Sequence, residues 1–146
     1  MSHCIFCQIV AGKLPSYTIY EDQEYVAFLD IFPYAPGHTL VIPKKHYRWV
    51  WDVEPIGDYF SVVQKVVKHF RVVTGNEFVI EAVMGDAVPH AHVHLIPDTL
   101  GNSQRLIRTF KTAPDGVKAE HSELLAIQQK FAIKSGIKLQ AELSGQ

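Results

Sequence analysis

The chain has 146 residues, 47% apolar and 20% charged, with 14 Lys and Arg against 15 Asp and Glu. That is the length of one domain with enough apolar material for a core, which excludes a disordered or fibrous chain. The longest apolar runs are far too short to cross a bilayer, and a net charge of −1 gives no general attraction for nucleic acid or an acidic membrane. In chain order, Cys4 to Ala11 reads as a short helical turn stopped by Gly12 and Pro15. Tyr17 to Glu21 and Tyr25 to Asp30 are aromatic and β-branched, a hairpin joined by Asp22-Gln23-Glu24. His38 to Pro43 is a strand entered through Pro36-Gly37. Ile56, Phe60, Val63, Val67 and Phe70 recur at helical spacing, which predicts a helix from Glu54 to Val73, with Pro55 in its first turn and Gly75 at its stop. The rival is a pair of strands, since Val62, Val63, Val66, Val67, Val72 and Val73 are β-branched; the stripe and the length favour the helix. Glu77 to Met84 and His90 to Ile96 are two more strands around Gly85-Asp86. The stretch with Arg105, Arg108 and Lys111 reads as a solvated loop, and Trp49 and Trp51 as packing against the sheet.

Turn residues cluster at Ala113-Pro114-Asp115-Gly116. The expected division is a main domain over 1–112 and an appendage over 113–146 packed on it. The appendage carries a helix from Glu120 to Lys134 with Leu124, Ile127 and Phe131 on one face. Short connections between most strands favour an antiparallel sheet of about five strands with helices on it, an α+β domain, over a doubly wound sheet. Met1 to Gly12 has no basic start and apolar stretch, so no secretory leader is expected. Two cysteines make no disulfide framework and agree with a reducing, cytoplasmic setting.

Histidine is the anomaly: eight in the chain, three of them at 90, 92 and 94. Side chains alternate across a strand, so His90, His92 and His94 share one face and Ala91, Val93 and Leu95 the other, core-facing one. Three imidazoles in strict alternation are poor choices for an ordinary exposed face. A metal cluster and covalent catalysis by one imidazole both fit. Cys4-x-x-Cys7 is equally open, compatible with redox chemistry, metal or chance.

His90-x-His92-x-His94-Leu95-Ile96 resembles the histidine triad motif. Phe28-Leu29-Asp30-Ile31, Pro36-Gly37-His38-Thr39-Leu40-Val41-Ile42-Pro43-Lys44 and the opening Cys4-Ile5-Phe6-Cys7 resemble the same family in the same order. The likeness runs from Cys4 to about Pro97 and is to the histidine triad (HIT) superfamily of nucleotide hydrolases and transferases, nearest its small zinc-containing bacterial type. It implies that His92 is a nucleophile attacking the α-phosphorus of a nucleotide, with a backbone carbonyl fixing its tautomer. His94 would touch the phosphate and leaving group, and His38 would support the phosphate site. Asp30 would take the ribose hydroxyls, and Ile31 and Phe6 would line the base pocket.

The resemblance also implies structural zinc on Cys4, Cys7, His46 and His90, a closed tetrahedral Cys2His2 set, and a homodimer. One stretch departs from the family. Met84-Gly85-Asp86-Ala87-Val88-Pro89 puts Asp86 and Ala87 where a Gln and a hydroxyl residue are usual. The backbone N–H groups from Gly85 to Val88 would have to compensate. The implied function is hydrolysis of a purine nucleoside phosphoramidate, or of an aminoacyl-adenylate, through a nucleotidyl-histidine. The alternatives are a dinucleoside polyphosphate hydrolase, a nucleotide-binding module of weak catalysis, and a metalloenzyme using the triad as ligands.

Overall fold

Asp22 makes the first turn of the sheet: its Oδ1 accepts from the backbone N–H groups of Glu24 and Tyr25, both at 2.8 Å. Around it β1 (Thr18–Glu21) and β2 (Tyr25–Leu29) pair antiparallel, as the hairpin reading requires. The computed structural model describes residues 3–112 and 116–133. Beyond the hairpin come β3 (Thr39–Pro43), β4 (Val79–Ala82) and β5 (Val93–Pro97). The sheet has the order β1-β2-β3-β5-β4, and every pairing is antiparallel. The α+β expectation therefore holds.

Every residue of β2, β3 and β5 is buried, so both faces of the sheet are covered. Alternation sorts the residues. Tyr25, Ala27, Leu29, Val41, Val93 and Leu95 pack with α2 (Ile56–Thr74) and α4 (His121–Phe131). Val26, Phe28, Leu40 and Ile42 pack with α1 (Ile5–Val10) on the opposite face. A third cluster seats α3 (Ser103–Thr112) on Ile96 and Ala35 through Leu106.

The long helix forms where its periodicity indicates, but its buried face is turned from the expected one. Tyr59, Val62, Val63, Val66 and Phe70 are buried, whereas Ile56 is exposed. Each of those side chains contributes roughly 1.5–3 kcal/mol by leaving water. Gly75 caps the helix at φ 68°, the left-handed conformation expected of a stop, and Pro55 is the residue before the helix rather than in its first turn.

Three further expectations are corrected. Residues 103–112 are a helix, not a solvated loop. Asn102 caps it by accepting from Arg105 N at 3.0 Å, and buried Asp98 accepts from Asn102 N at 3.1 Å. The last strand begins at Val93, not His90. His90 N–H turns back to the Val88 carbonyl at 2.9 Å, and Ala91 N–H leaves the β3 ladder for the Tyr47 carbonyl at 2.7 Å. Trp49 and Trp51 do not pack on the sheet, being 45% and 74% exposed around a short 3-10 turn at Val50–Asp52.

The helix expected from Glu120 to Lys134 is α4, and Lys134 lies outside the described residues, as do 113–115 at the expected boundary. Buried Leu124 and Phe131 carry α4 onto the body, while Ile127 is partly buried. Gln128 Nε2 donates to the Thr18 carbonyl at 2.9 Å, and Ile133 N to the Ile19 carbonyl at 2.8 Å, along the β1 edge. Gly37, at φ 96°, lies under this helix. A Cβ there would stand 2.9 Å from Pro97 and 3.0 Å from Phe131, so the turn into His38 requires glycine on both counts. Among the described residues no helix is long and apolar enough to cross a membrane.

Candidate active site and metal centre

The two sulfurs meet because Cys4 caps α1, its Sγ accepting from Cys7 N at 3.3 Å across one turn. His90 lies beside both, its Nδ1 3.3 Å from Cys4 Sγ and 3.5 Å from Cys7 Sγ. Its Nε2 is 2.8 Å from the Pro43 carbonyl. A carbonyl only accepts, so Nε2 carries the proton and the Nδ1 lone pair is left for the sulfur side. His46 Nδ1 is 3.2 Å from Cys7 Sγ, and the four donor atoms all lie within 4.8 Å of one another.

This set passes a geometric test for a tetrahedral ion. Bonds of about 2.3 Å to sulfur and 2.0–2.1 Å to nitrogen imply a sulfur–nitrogen edge of about 3.6 Å. The three short edges here are 3.2, 3.3 and 3.5 Å. The donor chemistry agrees. Burial first, and then the neighbouring Cys4, push the Cys7 thiol up to about 11, so this sulfur ionises readily only with a compensating cation. Cys4, Cys7, His46 and His90 can thus hold one metal ion.

Two residues along, the His92 ring is fixed by a single bond. Its Nδ1 is 2.7 Å from the His90 carbonyl, so Nδ1 donates and Nε2 keeps its lone pair. Phe6, buried in the α1 cluster, stands edge-on to His92 at 5.3 Å and to His90 at 5.9 Å. Burial lowers the His92 pKa. Its bond to the His90 carbonyl and the Asp86 charge act against that shift, and the Arg48 charge adds to it.

A chain of hydrogen bonds sets the tautomers of the other two rings. Tyr34 N–H donates to His38 Nδ1 at 3.1 Å, so the His38 proton is on Nε2. That proton faces His94 Nδ1 at 3.0 Å. His94 then carries its own proton on Nε2, the nitrogen left for a substrate. The chain starts at a backbone amide that cannot release its proton, so the order is not reversible while both rings stay neutral. Tyr34 lies over His38 with ring centres 5.5 Å apart, and Phe110 of α3 stands edge-on behind Tyr34 at 5.4 Å. Asp30 ends β2 with Oδ1 accepting from Phe32 N at 2.8 Å and Oδ2 3.6 Å from His38 Nε2. Burial raises its pKa. Asp30, His38 and His94 also cluster closely enough for a metal. A cation there would have to break the bond joining the two histidines.

Those rings stay neutral well into acid. Burial, then His94, holds His38 at about 3, and burial, then His92, holds His94 at about 4. Unfolded imidazoles titrate near 6.5, so from about pH 6.5 downward the unfolded chain binds more protons. Stability is therefore full above pH 6.5 and falls toward pH 4. Chemical denaturation between pH 7 and pH 5 checks this. His38→Gln should have a slope against pH shallower than wild type by roughly 1 kcal/mol per pH unit. Equal slopes would mean that burial does not hold the ring neutral.

The remaining expected residues separate. Phe6 is core, while Ile31 is 38% exposed at the surface beside Asp30. Asp86 and Ala87 are exposed, and Val88 is half-buried against the α1 cluster. The residues missed from sequence are Tyr34, Phe110 and Arg48, which support or face the histidines without carrying a motif. His3 is exposed, and His121 meets the Tyr17 hydroxyl. His69 of α2 is half-buried, with Nε2 lacking a partner among the described residues.

Comparison with known proteins agrees with this geometry. The HIT domain model matches residues 11–100. The protein hit of Bacillus subtilis is 39% identical over 127 residues, covering 81% of this chain and 86% of the relative. Adenosine 5'-monophosphoramidase HNT1 of Saccharomyces cerevisiae is 34% identical over 128 residues, covering 84% and 81%. The crystal structure of a zinc-bound histidine triad family protein from Mycobacterium smegmatis superposes with a TM-score of 0.66 at 25% identity, covering 99% of this chain and 97% of that one. The sheet, the order of the histidines and likeness over most of each sequence have one common explanation: this chain belongs to the HIT family.

Proposed function

We propose that the chain hydrolyses purine nucleoside phosphoramidates at the α-phosphate, through a covalent intermediate on His92. The observation that carries this reading is the bond from His92 Nδ1 to the His90 carbonyl, which leaves Nε2 as a free nucleophile. In the first step Nε2 bonds to the α-phosphorus and the bond to the leaving nitrogen breaks, that nitrogen taking up a proton as it departs. His94 Nε2–H donates a hydrogen bond to the phosphate and leaving group. His38 holds His94 in that tautomer, making it a positioning residue. Water then cleaves the phosphorus–nitrogen bond at His92 and releases the nucleoside monophosphate. Asp30 Oδ2 takes the ribose hydroxyls beside Ile31, with Phe6 backing the ring. Backbone N–H groups from Gly85 to Val88, Asp86 included, border the phosphate.

Zinc is the metal proposed for Cys4, Cys7, His46 and His90. It supplies a crosslink rather than Lewis acidity, because four protein donors complete its shell. By that arrangement His90 is anchored at Nδ1 while its carbonyl orients His92. The names of the yeast relative and of the zinc-bound neighbour support the activity and the metal.

The proposal extends to a homodimer, a cytoplasmic location and the division 1–112 and 113–146. Among the described residues β4 is an edge strand with one side unpaired, and Val72 of α2 is 81% exposed, as a dimer surface would offer. Both cysteines are free, as a reducing compartment allows. A dinucleoside polyphosphate hydrolase is the second reading, and a binding module of weak turnover, favoured by Asp86 and Ala87, is the third.

The test is a panel of adenosine and guanosine phosphoramidates and dinucleoside polyphosphates, with intact-protein mass recorded during turnover. Phosphoramidates should give the highest kcat/KM and a transient nucleoside monophosphate adduct. Turnover confined to the dinucleoside polyphosphates would select the second reading. No turnover of any member, with the nucleotides bound, would select a binding module.

A further inference from the structure

The loop before His90 offers a phosphate no side-chain donor. Gly85, Ala87, Val88 and Pro89 have none, and Asp86 only accepts. The rings beside it are neutral, and Asp30 and Asp86 add negative charge. The metal centre adds none, since two thiolates cancel a divalent ion. An incoming phosphate would therefore meet repulsion unless a cation faces it.

Arg48 is placed to be that cation. The Tyr47 carbonyl accepts from Ala91 N at 2.7 Å, which ties the residue before Arg48 to the residue before His92. Arg48 Nη1 donates to the Gly85 carbonyl at 2.8 Å, holding the guanidinium on the loop. Its flat face lies 3.6 Å from the centre of the Trp49 ring. Gly85 is a glycine for the same contact, since a Cβ there would stand 3.0 Å from Trp49. Among the described residues Arg48 spends one of its five N–H donors and has no carboxylate within ion-pair distance. It is also the cation whose charge is felt at the His92 ring.

We infer that Arg48 is a substrate-binding residue that grips the phosphate presented to His92, in place of the side-chain donors the loop lacks. This rests on the nucleotide reading above. A guanidinium suits the task because its remaining donors form a planar fork for phosphate oxygens, already ordered by Trp49 and Gly85.

Calorimetric titration of the metal-loaded protein with AMP and with adenosine separates phosphate recognition from nucleoside recognition. GMP and guanosine serve as a second pair. Wild type should bind AMP more tightly than adenosine. Arg48→Gln keeps an N–H for the Gly85 carbonyl but no charge. It should weaken AMP about 10- to 100-fold and leave adenosine unchanged. Arg48→Lys keeps the charge without the fork and should weaken AMP several-fold, again sparing adenosine; it carries the test alone if the glutamine variant melts early. AMP affinity unchanged in both variants overturns the role of Arg48. AMP and adenosine falling together overturns it too, as that is the mark of a merely structural residue. A wild type that binds neither pair overturns the nucleotide reading, and this inference with it.

Discussion

Replacing His92 by Asn should lower turnover by at least about a thousandfold, roughly 4 kcal/mol of lost barrier reduction. Nucleotide binding should stay within a few-fold of wild type. The reason is geometric. Nδ1 is committed to the His90 carbonyl, so Nε2 is the one nitrogen of that ring free to form a bond to phosphorus. Asn has a similar reach and polarity but no comparable nucleophile, so the covalent route is lost while Asp30 and the apolar wall remain. Neither neighbour can take over. His94 Nδ1 is occupied by His38, and its Nε2 carries a proton. His90 Nδ1 belongs to the cysteine cluster. Rapid quench and intact mass should show a nucleoside monophosphate adduct in wild type and none in the variant. An adduct that survives in His92→Asn, or a wild-type rate, would refute the assignment. His94→Ala should retain the adduct but slow its formation more for poor leaving groups than for good ones.

The parts of this molecule legible from sequence are those where one residue type has one use. Gly75 as a helix stop, Asp22 in a tight hairpin and the alternation of Val26, Ala27 and Phe28 follow from backbone rules alone. The histidine triad is legible as a motif, while alternation alone leaves both a metal cluster and covalent catalysis open. The missed helix α3 shows the limit. Arg105, Arg108 and Lys111 lie on its outer side and read as loop, while Asn102 and Leu106 carried the opposite signal in a cap and a single core contact. There a cap and an apolar contact decide for helix, and the exposed charges are compatible with it.

The long helix is legible but its buried face is turned, because the periodic stripe of Ile56, Phe60, Val63, Val67 and Phe70 leaves out Tyr59. Its hydroxyl is buried only because the Val41 carbonyl accepts from it at 2.6 Å. Arg48 and Trp49 could not be placed from periodicity. Their position depends on Ala91 leaving one ladder for the Tyr47 carbonyl, a long-range pairing with no local signature. Nor could sequence show that His90 stands outside the strand. Its turn is what frees the carbonyl that holds His92.

Cys7→Ala should cost far more stability than His38→Ala, and should do so through the metal. Wild type should hold about one zinc per chain and the variant almost none. In zinc-finger peptides the metal supplies about 10–16 kcal/mol of folding free energy. It should supply less here, because the cluster under α2 and α4 forms a core of its own. The loss should still be a large part of the roughly 5–15 kcal/mol typical of a domain. The cost arises where α1 meets the sheet. Without the ion the buried Cys4 and His90 lose their common partner, and Phe6 and Val10 are no longer pinned over Phe28 and Leu40. His38→Ala removes two hydrogen bonds and some packing, an effect of about 1–3 kcal/mol. Chelation separates the metal from the side chain. A strong chelator should lower the melting temperature of wild type toward that of Cys7→Ala and leave the variant where it is. It should also slow turnover in wild type, because the His90 carbonyl that fixes the His92 tautomer moves when His90 loses its anchor. A wild type that is folded without zinc and insensitive to chelator would show that these four side chains hold the fold by packing and hydrogen bonds alone.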